Sequence, residues 1–191
     1  MPVRPIASVG QPVLRQRARD VTPDELATAD VQALIDDLVD TMRAAHGAGL
    51  AAPQVGDGRR IAVIEVDHNP RYPYKPPIPL TIVVNPVITP ADDECYRSNE
   101  GCLSVPDLRG DVARLVRVRV EYLDRDGTAH DEVKVGLTAG TFQHECDHLD
   151  GVLFVDRVAD PTTFSTWAQF DKHRRAAFVA EVEALTARVG S

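Results

Sequence analysis

Three cysteines in 191 residues are too few, and odd in number, for a disulfide framework, so a reducing cytoplasm is the expected location. Positive charge is also scarce. Lys and Arg total 21 against 29 Asp and Glu, and the resulting net charge of −8 argues against specific nucleic-acid binding and against an anionic membrane surface. No apolar run approaches the roughly 18 residues needed to span a bilayer. The first stretch, MPVRPIASVGQPVL, lacks the longer uninterrupted apolar core of a signal peptide. Internal repeats, low-complexity tracts and flexible interdomain linkers are missing as well. What remains, 43% hydrophobic and 26% charged residues, is an ordinary globular composition, long enough for one domain over residues 1–191.

Apolar periodicity predicts a helix from about Val31 to His46. Val31, Leu34, Ile35, Leu38, Val39 and Met42 share one face, with Asp30 placed to cap the start and Gly47 to end it. Arg59 to Val66 and Leu80 to Ile88 read as strands. The intervening DHNPRYPYKPPIP holds five prolines and reads as a surface loop. Alternation over Leu115 to Leu123, a DRDG turn and the EVKVG segment predict a further hairpin. Helices follow over Leu137 to Asp150, stopped by Gly151, and over roughly Thr163 to Val189. Strands in runs beside a few helices, without β-α-β alternation, indicate an α+β fold.

The second of these helices carries TFQHECDHLDG. His144 and His148 fall one turn apart on one face with Glu145 beside them, so two imidazoles can converge on one metal ion. Shuffling this composition yields H-E-x-x-H only about 0.01 times per chain, though a surface helix with two solvated histidines is the bland alternative. A catalytic site needs a third protein ligand and one open position. The metzincin pattern fails, because Phe154 stands where its third histidine belongs. A downstream carboxylate, Glu181 or Glu183, lies in an acidic helix where solvation is the commoner fate. Cys102, in NEGCLSVPDLRG, would supply a thiolate, against the alternative of a buried passive cysteine. These readings stay open on spacing alone. Cys146 points off the metal face, Cys95 reads as a passive thiol, and His46, His68, His130 and His173 have no convergent partners in sequence.

A third segment, GAGLAAPQVG, joins them. Taken together and in order, Gly47 to Gln54, Glu100 to Ser104 and Gln143 to His148 resemble the G-φ-G-φ-A-A-x-Q, E-G-C-φ-S and Q-H-E-x-D-H motifs of the peptide deformylase family, with no position broken. The similarity runs over roughly residues 5 to 157. It implies mainly antiparallel sheets packed around a central H-E-x-x-H helix, with a C-terminal helix beside them. It implies that Cys102, His144 and His148 hold a divalent metal, typically Fe²⁺ in the cell, with Zn²⁺, Ni²⁺ or Co²⁺ able to replace it. The implied reaction removes formate from the N-formyl-methionyl ends of nascent peptides, where contact with the ribosome is conceivable. Glu145 would be the general base, while the Leu103 N–H and the Gln54 amide would receive the oxyanion. Gly47 and Gly49 would take the peptide as an added strand. Arg109 matches a family position near the substrate.

Helix geometry puts Leu137, Gly140 and Thr141 near the His144 face, where they could line a groove for the methionine side chain; Gly140 could equally serve close packing. Glu100 and Arg114 could pair as a brace for the Cys102 loop, or be two surface charges. The basic DKHRR run reads as a solvated helix face before it reads as a contact for ribosomal RNA. Two competing functions are an internal-bond zinc peptidase and a silent scaffold paralogue, the latter disfavoured by the intact Glu145, Gln54 and ligand set.

Overall fold

In the computed structural model, which describes residues 3–67, 69 and 71–190, a 3-10 turn (Pro12–Arg15) precedes a helical turn, α1 (Pro23–Leu26), and a long helix, α2 (Ala29–Ala44). The predicted stripe of α2, from Val31 to Met42, is buried throughout. Its cap is not Asp30. The Thr28 side chain accepts the Val31 N–H, and Asp30 lies in the first turn with its carboxylate 2.6 Å from Arg59. The helix closes at Ala44, and His46, at φ 52°, makes the left-handed turn that had been expected of Gly47.

Five strands form one antiparallel sheet in the order β1 (Gly49–Ala51), β2 (Ile61–Val66), β3 (Ile78–Pro90), β6 (Arg117–Leu123) and β7 (Ala129–Val135). β4 (Cys95–Cys102) and β5 (Val105–Leu115) pair as a separate ribbon. The helix α3 (Gly136–Leu149) follows β7 directly. β2 explains the layering. Ile61 and Val63 pack with α2, while Ala62, Ile64 and Val66 face Phe142, Ala139 and Leu149 of α3. The sheet is therefore a filling between two helices, and α3, carrying the H-E-x-x-H sequence, lies at the centre of an α+β fold.

Three expectations need correction. The ribbon β4–β5 was not foreseen, and Leu115 belongs to its second strand rather than to β6. The single C-terminal helix is instead a 3-10 turn (Pro161–Thr163) followed by α5 (Trp167–His173) and α6 (Arg175–Val189), after a short α4 (Phe154–Arg157). The break falls at Arg174, whose guanidinium is tied to the Thr163 carbonyl and the Asp111 carboxylate, both at 2.6 Å. Those bonds from β5 and the preceding turn hold Arg174 out of helical geometry (φ −126°, ψ −27°). The proline-rich segment between β2 and β3 is irregular as expected, yet it is not merely surface. Tyr72, Tyr74 and Lys75 turn inward to the cavity described next.

Candidate metal centre and active site

β4 ends in an irregularity of register between Gly101 and Cys102, the kind of bulge that re-aims a side chain. It brings the Cys102 sulfur within 3.3 Å of His148 Nε2. One turn earlier on α3, the His144 ring stands nearly perpendicular to that of His148, centroids 4.9 Å apart. One ligand atom from each of these three residues lies within 4.8 Å of the other two, and no other such His, Cys, Asp or Glu cluster occurs among the described residues.

The geometry suits a divalent ion. His144 Nδ1 stands 2.8 Å from Glu100 Oε2, which fixes that ring and turns Nε2 towards the cluster. Glu100 itself is gripped twice by Arg114, at 2.7 and 2.8 Å, and Arg114 also reaches Asp147 at 2.7 Å. The pair is thus a buried brace rather than two surface charges. Burial alone would raise Glu100, but Arg114 and His144 outweigh it and hold the carboxyl well below its ordinary range. Burial would likewise raise the Cys102 thiol, but the neighbouring imidazoles of His148 and His144 bring it down to about 5. A ready thiolate beside two imidazoles is the donor set expected of Fe²⁺ or Zn²⁺.

Glu145 faces the cavity between β1, β4 and α3. It is 4% exposed, burial raises its pKa, and its Oε2 has no hydrogen-bond partner. A buried acceptor left unpaired is costly, so this oxygen is placed for something absent from the protein itself. Gln54 is positioned by its Oε1, which accepts the Ala51 N–H at 2.8 Å. Its amide nitrogen lies 3.1 Å from Ser104 Oγ and 3.5 Å from the Cys102 sulfur. Gly47, Gly49, Leu103, Arg109, Leu137, Gly140 and Thr141 line the same cavity. Gly49 is tightly constrained, because a Cβ built there would come within clashing distance of the Glu145 carboxyl group. Gly49→Ala should therefore retain metal but lose at least about tenfold in kcat/KM, as a displaced base misses its target. Unchanged turnover at full metal content would show that Glu145 has other working positions.

Two expected contributors have additional tasks. At Gly140 an added Cβ would strike the Tyr96 hydroxyl, so this glycine admits a tyrosine to the groove wall. Arg109, only 1% exposed, donates to Asn99 Oδ1 and to the Asn99 carbonyl at 2.7 and 2.6 Å, and its guanidinium lies 4.0 Å from the Trp167 ring centre. Only its Nη1 is unpartnered. Of the residues set aside, Cys146 is buried, Glu181 pairs with Arg97 at 2.6 Å, and Phe154 sits in the core. Arg174 and Arg175 of the basic run bond to Asp111 and Asp171. His68 lies outside the described residues.

Lining residues not foreseen from the sequence include Tyr72, Tyr74, Lys75, Tyr96, Ser98 and Phe178. A signal existed. The chain has four tyrosines, two of them in the proline-rich loop, where a purely solvated segment has little use for them.

A family model described as polypeptide deformylase matches residues 3–164. A peptide deformylase of Leptospira biflexa is 46% identical over 165 residues, covering 86% of this chain and 92% of the relative. Peptide deformylase 1 of Nitrosomonas europaea is 42% identical over 162 residues, 85% of this chain and 91% of the relative. Among solved structures, a Met-Ala-Ser-bound class I type b peptide deformylase from Acinetobacter baumannii matches with a TM-score of 0.79 at 40% identity. That match covers 82% of this chain and 99% of the other. An actinonin complex of a peptide deformylase from Synechococcus elongatus covers 98% of this chain and 86% of the other, with a TM-score of 0.73 at 32% identity.

Proposed function

From the premise that the chain belongs to the polypeptide deformylase family, we propose that residues 1–191 act as one catalytic domain in which Cys102, His144 and His148 hold the metal and Glu145, Gln54 and Leu103 carry out the reaction. The enzyme is a metal-dependent hydrolase that removes the N-formyl group from newly made N-formyl-methionyl peptides and releases formate. The observation that carries the division of roles is the unpaired Glu145 carboxylate beside the three-residue ligand cluster in one cavity.

A divalent metal held by Cys102, His144 and His148 would supply Lewis acidity, which lowers the pKa of water towards about 7. Glu145 takes a proton from the attacking water as its oxygen joins the formyl carbon. The Gln54 amide and the Leu103 N–H donate to the oxygen that gains charge. Glu145 then returns its proton to the departing nitrogen, the C–N bond breaks, and formate and a free amine result. β1 lies at an edge of the five-stranded sheet, so the Gly47–Gly49 stretch can pair with the peptide main chain as an added strand. Leu137, Gly140 and Thr141 form the wall that receives the methionine side chain. Arg109, which lines the cavity, braces Asn99 of the ribbon and keeps Nη1 unpartnered.

Finer assignments belong to the same proposal. Iron(II) is the resident metal on the strength of the family resemblance, while the thiolate and two imidazoles suit Zn²⁺, Ni²⁺ or Co²⁺ as well. The cytoplasm is the location and the ribosome the place where the nascent peptide is met. No helix is long and apolar enough to cross a membrane among the described residues.

Selectivity tests the proposal against the peptidase alternative. An acetyl group adds a methyl to the carbon on which water, Glu145 and the two donors converge. Formyl-Met-Ala-Ser should therefore be cleaved at least about 10²-fold more efficiently than acetyl-Met-Ala-Ser, with no internal bond cut. Comparable kcat/KM values, or internal fragments by mass spectrometry, would favour the peptidase.

A further inference from the structure

Lys75 is an unusual presence in a groove meant for a thioether. It comes from the proline-rich loop, lines the cavity with Tyr74, Tyr96, Ser98, Leu137 and Thr141, and donates to Thr141 Oγ1 at 2.9 Å. That hydroxyl spends its own proton on the Leu137 carbonyl at 3.0 Å, so it can only accept from the lysine. An ammonium has three protons to donate, and its acceptor among the described residues is this one neutral hydroxyl. The Tyr72 ring stands on another side, its centre 5.1 Å from Nζ. Burial draws the lysine down to about 8, with Glu100 and Glu145 opposing, so it stays mostly charged at neutral pH.

A half-buried cation with donors to spare, lining the groove itself, favours a ligand that brings an acceptor. Methionine's sulfur is a weak one. Its sulfoxide has the same chain length, remains neutral, and adds one strongly accepting oxygen. An anionic side chain is disfavoured, because the Glu100 and Glu145 carboxyl groups line the same cavity. Space is limited. The cavity of about 60 Å³ has room for roughly four to six water-sized groups in all, and Gln54, Cys102, His144 and Glu145 line it as well as the groove, so a first side chain with one more oxygen must fit closely.

We propose that Lys75 makes peptides beginning with N-formyl-methionine sulfoxide a second substrate class of this site. The inference rests on the reading that the Leu137–Gly140–Thr141 groove receives the first side chain. The formyl group is hydrolysed as before, and the sulfoxide leaves unchanged on the product peptide. Lys75 is a specificity residue here and takes no part in the bond that breaks.

The experiment measures kcat/KM by formate release for formyl-Met-Ala-Ser, its methionine sulfoxide counterpart and a norleucine counterpart, using metal-loaded wild type, Lys75→Met and Lys75→Arg. In wild type the sulfoxide should reach at least about one tenth of the methionine value. In Lys75→Met that ratio should drop about tenfold or more, the effect of losing one charged hydrogen bond, and Lys75→Arg should restore most of it. The norleucine-to-methionine ratio should change less, since norleucine brings no acceptor. A lower wild-type ratio, a ratio indifferent to Lys75→Met, or parallel loss of sulfoxide and norleucine would each overturn the proposal. Failure of wild type to cleave formyl-Met-Ala-Ser would instead overturn the deformylase reading beneath it.

Discussion

Glu145→Gln is expected to lower kcat by at least about 10²-fold while leaving the metal in place. Glutamine keeps the size and most of the hydrogen bonding of glutamate but cannot take up a proton. The side chain is buried in the cavity that His144 also lines, and its Oε2 has no partner among the described residues, so no existing contact there can stand in for it. Among the described residues the other carboxylate lining the cavity, Glu100, is not free, because Arg114 and His144 hold it. Turnover and metal content measured on one sample decide the matter. Near-normal turnover at full occupancy would assign the proton transfer to another group.

The second large effect concerns the ligands. Cys102→Ala leaves two imidazoles, too few to retain a divalent ion tightly, so purified protein should hold well under one metal per chain and lose nearly all activity. Cys146→Ala is the matched control. Cys146 lies two residues from His144 on the same helix, but it is buried and its thiol is pushed up by burial, so it has no thiolate to offer. Its alanine variant should keep metal close to one per chain. Metal analysis after anaerobic purification separates the two and reads which element is resident. Equal retention would remove Cys102 from the ligand set.

These residues were legible in the sequence to different degrees. The α3 pair was plain, because a four-residue spacing on a helix is a geometric statement. The α2 stripe was plain for the same reason. The β4–β5 ribbon was hidden because the buried positions of β4 are Ser98, Asn99 and Glu100 and those of β5 include Arg109, Gly110 and Arg114 beside Val105 and Val112, and a search for apolar alternation passes over them. The burial of Asn99 and Glu100 is sustained by bonds that no local pattern records: Asn99 accepts from Arg109 and donates to Asp111, and Glu100 is held by Arg114 and His144. Cys102 was therefore reached through family motifs rather than through periodicity. The division of the C-terminal helix was equally invisible, since it depends on Arg174 meeting Asp111 across 63 residues. Lys75 was hidden by its setting. Five prolines announce an irregular loop but not that it folds inward, and the contacts that draw it there, Tyr74 on Phe178 and Tyr72 on Trp167, come from the last two helices.

The central claim is that a metal held by Cys102, His144 and His148, with Glu145 as base, hydrolyses a formyl amide. The most direct measurement follows formate and new peptide amine together, from formyl-Met-Ala-Ser, with metal-loaded, chelated and reloaded protein. The account predicts one formate per amine, activity abolished by chelation and recovered with the metal. Formate release that persists in metal-free protein, or none at full metal occupancy, would contradict it.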